Sequence, residues 1–201
     1  LTGGIDISVA STLAFTCVFS AYLLESGWSA IIVIPLVLLI GVVTGYLMGY
    51  CVHCFNIAPF IITLAGQFLL RGMCAVVSTV SIPINDEFYK TVALSKLSFE
   101  IGGGKAKIYY YVFVALALVL IAWFVLRYTR FGRAVYAVGS NEQSAQYMGL
   151  NVKRIKISVY AINGFCAALG GVLFSFYTLA GYSLQNMGLE LDANIRPVNR
   201  S

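Results

Sequence analysis

Charge is what this sequence has least of, and its scarcity excludes a water-soluble domain. Only 10% of the 201 residues are charged while 60% are hydrophobic, against roughly 25% charged in a soluble globular chain. So little charge cannot cover a surface in contact with water. The class that remains is an all-α, polytopic transmembrane helical bundle. Histidine is nearly absent, His53 being the only one. No Ser/His/Asp constellation and no HExxH zinc motif accompanies it, which argues against a membrane protease. No pair of carboxylates falls inside an apolar stretch. A proton relay of the usual kind is thereby disfavoured, with Asp6, at the start of the first apolar stretch, the acid left for such a role.

Cysteine is present but not as a disulfide framework. Cys17, Cys74 and Cys166 lie inside apolar stretches, where Cys is a small hydrophobe. Cys51 and Cys54 frame His53 in Cys-Val-His-Cys. A tetrahedral zinc site would need a further ligand, so these read as interfacial residues, with no metal and no cofactor expected. The net charge of +5 does not point to nucleic acid, because the surplus sits in one loop beside the membrane. The chain begins at Leu1 with no Met and no basic leader, and it reads as a fragment of a longer protein with spans missing.

What the sequence does have is long apolar runs. A crossing helix needs about 20 residues, and about five runs qualify or come close. They are Ile7 to Leu24, Ala30 to Tyr50, Ala58 to Val80, Ile108 to Leu126 and Ile157 to Ala180. Between the last two lies a loop from Arg127 to Lys156. It holds Arg127, Arg130, Arg133, Lys153, Arg154 and Lys156 against the single acid Glu142. A short loop this basic marks the cytoplasmic side. Residues 81–107 then lie outside, and their four lysines against three acids fit that assignment. Pro83 and Gly102-Gly103-Gly104 suggest a solvated outer loop with a short helix at 86–97. That glycine run lacks the GxxxxGK order of a phosphate cradle. Inside the basic loop, Gly139-Ser140-Asn141-Glu142 reads as a turn and helix start and Gly149 as a helix stop.

Gly41, Gly45 and Gly49 recur every four residues and form a smooth ridge for helix packing. Pro35, Gly164 and Gly170-Gly171 are places where the second and fifth helices can bend. Arg71 stands inside the third run, one turn after Gln67. Two readings stay open: a polar face toward a water-filled path, or a side chain that snorkels to the outer interface. Thr2-Gly3-Gly4-Ile5-Asp6-Ile7-Ser8 likewise reads either as an N-terminal cap or as a helix break near a translocation path, with Asp6 and Ser8 on it.

Four blocks in this order resemble the sugar-transporting ABC permeases of the ribose/xylose/galactofuranose group. They are Leu1 to Ser8, similar to that family's GGIDLS signature; Pro59 to Gly66 with Leu70-Arg71-Gly72; Thr129 to Arg133 with Tyr136 to Asn141 and Met148-Gly149-Leu150; and Ala180-Gly181-Tyr182 with Gly188 to Ala193. Ser81 to Asn85, with the glycine run beyond, looks most like one of the two galactofuranose permease subunits. Ala10 departs from the family's usual Gly. After Ala193 the match stops, leaving 194–201 as a non-matching tail on a 1–193 permease fragment. The resemblance implies a multi-pass protein of the bacterial inner membrane. It implies a second permease subunit, an extracytoplasmic sugar-binding protein and a cytoplasmic ATP-binding subunit. ATP would be bound by that partner. It also implies a coupling helix at about Gly139 to Gly149, with Gly139, Asn141, Glu142, Ala145 and Gly149 facing the ATPase. An ion-coupled secondary transporter and a non-transporting membrane scaffold are the competing classes.

Overall fold

The computed structural model describes residues 6–55, 57–101 and 104–181, with backbone alone for 96–101 and 104–108. Among the described residues, four helices are long and apolar enough to cross a membrane: α2 (Ala30–Cys54), α3 (Pro59–Val77), α5 (Tyr110–Tyr128) and α8 (Val152–Thr178). A shorter apolar helix, α1 (Val9–Glu25), precedes them. The short helices are α4 (Glu87–Leu94), α6 (Arg130–Ser140) and α7 (Glu142–Tyr147). Four strands, β1 (Ile82–Pro83), β2 (Lys96–Ile101), β3 (Gly104–Tyr109) and β4 (Ala180–Gly181), form two small antiparallel pairs, β1 with β4 and β2 with β3. The molecule is a polytopic helical bundle, as the composition requires.

Glycine sets the bundle's main contact. A Cβ on Gly41 would overlap the Ala168 methyl, and one on Gly45 the Tyr160 carbonyl oxygen. A Cβ on Gly49 would come within 2.9 Å of the Tyr160 Cβ. Gly164 on α8 would likewise meet the Gly41 carbonyl. Backbone therefore touches backbone along α2 and α8, which multiplies short-range dispersion contacts where no water drives association. Gly171 does the same against Thr16 of α1. α8 runs without interruption through Gly164, Gly170 and Gly171, so the glycines expected to bend it include two that serve close approach.

α1 is the most enclosed helix, and its buried polar residues satisfy themselves. The Ser11 and Thr12 hydroxyls both donate to the Ser8 carbonyl, at 2.8 and 2.9 Å, and Ser20 donates to that of Cys17 at 2.9 Å. Small side chains whose hydroxyls turn back on their own helix let neighbours approach without an orphaned donor. Its 17 residues span about 25 Å, short of the roughly 30 Å hydrocarbon core. Among the described apolar helices it is the shortest.

The outer loop differs from expectation. Its helix is α4, shorter than 86–97, with Asp86 accepting from the Tyr89 amide at 2.9 Å as N-cap. After it the chain turns into the β2–β3 hairpin. Strict alternation of Lys96, Leu97, Ser98, Phe99, Glu100 and Ile101 carries that signal. Tyr89 plugs α4 into the bundle: it is fully buried, its hydroxyl lies 2.7 Å from that of Ser175, and its ring stacks on Phe176 at 4.2 Å. Burial pushes its phenol up to about 12, so it stays neutral. The Gly3-Gly4 step, Gly102-Gly103, the block from Tyr182 to Ala193 and the 194–201 tail lie outside the described residues.

Replacing Gly45 by Leu should lower stability by about 3 kcal/mol, the upper range for overpacking. Gly72, on α3, has open space where its Cβ would be, and Gly72→Leu should leave stability unchanged. The fraction of detergent-solubilised protein surviving a heating series compares the two, and equal losses would refute the contact argument.

Candidate functional site

The basic loop folds as a helical platform at the end of the bundle that its charge assigns to the cytoplasm. Thr129 starts it: its hydroxyl accepts from the Gly132 amide at 3.2 Å and donates to the Val125 carbonyl at 2.6 Å. Only Gly fits at 132, because a Cβ there would collide with the Leu126 carbonyl where α6 folds back under α5. Asn141 caps α7 by accepting from the Ser144 amide at 2.9 Å, and Asn151 caps α8 by accepting from that of Arg154 at 3.1 Å. Gly149 ends α7 at φ +81°, a left-handed geometry that costs Gly nothing.

The residues expected here take distinct places. Gly139 lies in the last turn of α6, so the loop holds two helices rather than one, and α7 starts at Glu142. The missed helix was legible in the spacing of Phe131, Val135 and Val138 after a Thr cap. Ala145 is fully buried with Val135, Val138, Val152 and Ile155, which pins α7 to α6 and α8. Glu142 is paired with Lys156 of α8 at 2.6 Å. Lys153 sits 5.7 Å from the centre of the Tyr50 ring at the end of α2. On the outer side of α7 the platform presents Gln143, Gln146, Tyr147 and Met148, with Tyr147 90% exposed. The result is a capped helical knob, buried on one side and exposed on the other.

A second cluster lies deeper. The Asp6 carboxylate accepts from the Ser8 amide at 2.9 Å, the Ser8 hydroxyl at 2.6 Å and the Asn163 side-chain amide at 2.6 Å. Ser8 itself makes no side-chain capping bond; Asp6 is what ties the start of α1 to α8. Asn163 is seven residues beyond Lys156 on α8, about 10 Å along the helix axis. The carboxylate thus stands on the basic-loop side of the middle of α8. Beside it a cavity of about 370 Å³ opens between α5 and α8, floored by Phe131 and Val135 of α6. Tyr160 also lines it, 5% exposed, and its buried hydroxyl has no partner among the described residues. Sequence reasoning missed Tyr160 and Asn163, because nothing in an apolar helix says which polar residue meets the distant Asp6.

Gln67 and Arg71 stand apart from this cavity on α3. The Gln67 Oε1 is buried without a partner, and Arg71, half-buried, has no ion pair among the described residues. The structure does not join them to Asp6 and Ser8. The five cysteines, Cys51 and Cys54 included, are free thiols.

Fold and site together define a multi-pass helical membrane protein with a structured cytoplasmic loop. The family described as "Branched-chain amino acid transport system / permease component" matches residues 1–195, and the chain belongs to this family. It is similar to the inner membrane ABC transporter permease protein YjfF of Escherichia coli, 45% identical over 96% of this chain and 58% of that protein. It is 36% identical to the fructose import permease protein FruG of Bifidobacterium longum, over 96% of this chain and 58% of that one. The ribose import permease protein RbsC of Escherichia coli is 35% identical, over 96% and 59%. The chain thus spans less than two thirds of the length of these relatives. No solved structure matches it.

Removing the Asn141 cap by Asn141→Ala should cost about 1 kcal/mol locally. Hydrogen–deuterium exchange of the α7 amides should then quicken about five-fold, with α8 unchanged. Unaltered exchange in α7 would mean that Ala145 burial alone holds the helix.

Proposed function

We propose that this chain is part of the transmembrane permease of an ATP-driven monosaccharide importer in the bacterial inner membrane. The observation that carries the reading is α7: capped at Asn141, stopped at Gly149, anchored inward by Ala145 and uncovered outward. A knob of that kind on the cytoplasmic face suits docking to a soluble partner. In this reading Gly139, Asn141, Glu142, Ala145 and Gly149 form or support the contact with a cytoplasmic ATP-binding subunit. Asp6, Ser8, Gln67 and Arg71 belong to the translocation path, shared with a second permease subunit and fed by an extracytoplasmic sugar-binding protein. ATP is bound by the partner. Closure of the ATPase would push α7 and bias the permease between outward-open and inward-open states, a rigid-body switch driven from a neighbouring subunit.

Support for a sugar comes from the permeases named for fructose, ribose, allose and arabinose that this chain resembles along nearly its whole length. Galactofuranose is the finer assignment suggested by the outer-loop segment Ser81 to Asn85. Asp6 favours a second reading, an ion-coupled secondary transporter, because an acid inside a membrane is a functional site by default.

The test is co-purification from the native host of the full-length parent, tagged and extracted in mild detergent. A Walker-type ATPase should appear by mass spectrometry and be lost when residues 139–149 are replaced by a Gly/Ser linker. Efficient extraction with no ATPase at any detergent strength would favour the ion-coupled transporter or a scaffold. Arg71→Ala should lower sugar uptake at least ten-fold at an unchanged membrane level. A fall in membrane level that accounts for the lost uptake would assign Arg71 to structure.

A further inference from the structure

We infer that the crevice between α5 and α8 is a monosaccharide-binding station on the cytoplasmic half of the protein, with Asp6, Asn163 and Tyr160 as its polar contacts. The inference rests on the sugar-permease reading for the class of ligand and on geometry for the site.

The crevice has the make-up of a small-molecule site. Its volume, about 370 Å³, falls in the roughly 300–1,000 Å³ range of ligand pockets, which are mostly apolar with a few placed polar groups. Here Ala122, Val125, Leu126 and Val159 supply apolar wall, and Phe131 and Tyr160 add aromatic surface of the kind that suits the C–H side of a sugar.

The polar groups have unused hydrogen-bonding capacity. An ionised carboxylate offers about four acceptor positions, and Asp6 fills three: two at Oδ1 from Ser8 and one at Oδ2 from Asn163. Because a carboxylate only accepts, the group Asn163 points at it is its NH₂, which fixes the orientation of that amide. The second N–H and the carbonyl oxygen of Asn163 have no recorded partner among the described residues. The Tyr160 hydroxyl, buried and unpartnered, can both donate and accept. A buried polar group left alone costs free energy and calls for an explanation. Two acceptors, a donor and a group that is both suit a chain of sugar hydroxyls. A metal cation fits poorly: among the described residues Asp6 is the only acid lining the space, and hard cations take about six oxygen ligands.

The station also meets the switch. Phe131 and Val135 belong to α6, whose buried face holds Ala145 of α7. A push on α7 therefore reaches the floor of the crevice through packed side chains.

Cys166 is half-buried and lines the same space as a free thiol, which supplies a native probe. The full-length protein carrying Cys166 as its sole cysteine is placed in inside-out vesicles and treated with methanethiosulfonate ethylammonium. Cys166 should be modified, and ribose, fructose, arabinose or galactofuranose at saturation should slow modification at least five-fold. Tyr160→Phe removes an oxygen that no group among the described residues uses, so a purely structural hydroxyl would leave every reading unchanged. The expected result is at least a five-fold rise in the sugar concentration giving half-protection, at an unchanged unprotected rate and membrane level. The inference is overturned if Cys166 does not react, since lipid or another span then fills the crevice. It is equally overturned if none of the four sugars protects it. Unchanged protection in Tyr160→Phe removes Tyr160 from the site. Neither the ATPase nor ATP is needed, so failure here is distinct from failure to co-purify an ATPase.

Discussion

Everything in this bundle hangs on the backbone contact between α2 and α8. Inside a bilayer the lipid tails are as apolar as any side chain, so helices gain nothing by hiding leucine from the solvent. They gain by approaching closely. Gly41, Gly45 and Gly49 on one side and Gly164 on the other remove every Cβ that would hold the axes apart. With α8 so fixed, its other faces become the frame for the rest. Gly171 receives α1, Asn163 holds Asp6, Ser175 and Phe176 hold Tyr89, and Ile155 with Val152 seats α7.

The two ends of that axis are built by different means. At the outer end, α4 is anchored by a buried aromatic ring and the β1–β4 pairing, which joins the loop after α3 to the residues after α8. At the inner end, the platform is set by caps and by one small apolar cluster, with a single ion pair to α8. An exposed pair such as Glu142–Lys156 contributes at most about 1 kcal/mol. Its use is orientation, because it fixes the turn of α7 about its own axis while Ala145 fixes its depth. The side that faces solvent is thereby specified as firmly as the side that is buried.

Between the ends the constraint is polar satisfaction. A helix that starts inside the hydrocarbon region leaves its first amides without intrahelical partners. Asp6 answers one of them at Ser8 and binds Asn163 on α8 with its second oxygen. The same carboxylate thus cements α1 to α8 and sits beside the cavity. Arg71 and Gln67 have no comparable arrangement, and the two groups of polar residues remain separate features of the bundle.

The residues by themselves determined the class, the approximate spans and the helix signals at Asn141 and Gly149. Each of these follows from local composition or from backbone preferences of a few neighbours, and such signals survive without a partner. They also placed glycine every fourth residue on α2, which announces a close contact but not with what. Tertiary structure decided that the partner is α8, that α1 packs as the most enclosed helix, and that Glu142 turns to Lys156. It also decided that Asp6 and Tyr160, 154 residues apart in the chain, line one space. Those facts depend on which helices lie side by side. Helical periodicity names the face a residue occupies, whereas its neighbour is chosen by steric fit and hydrogen bonding between segments distant in the chain.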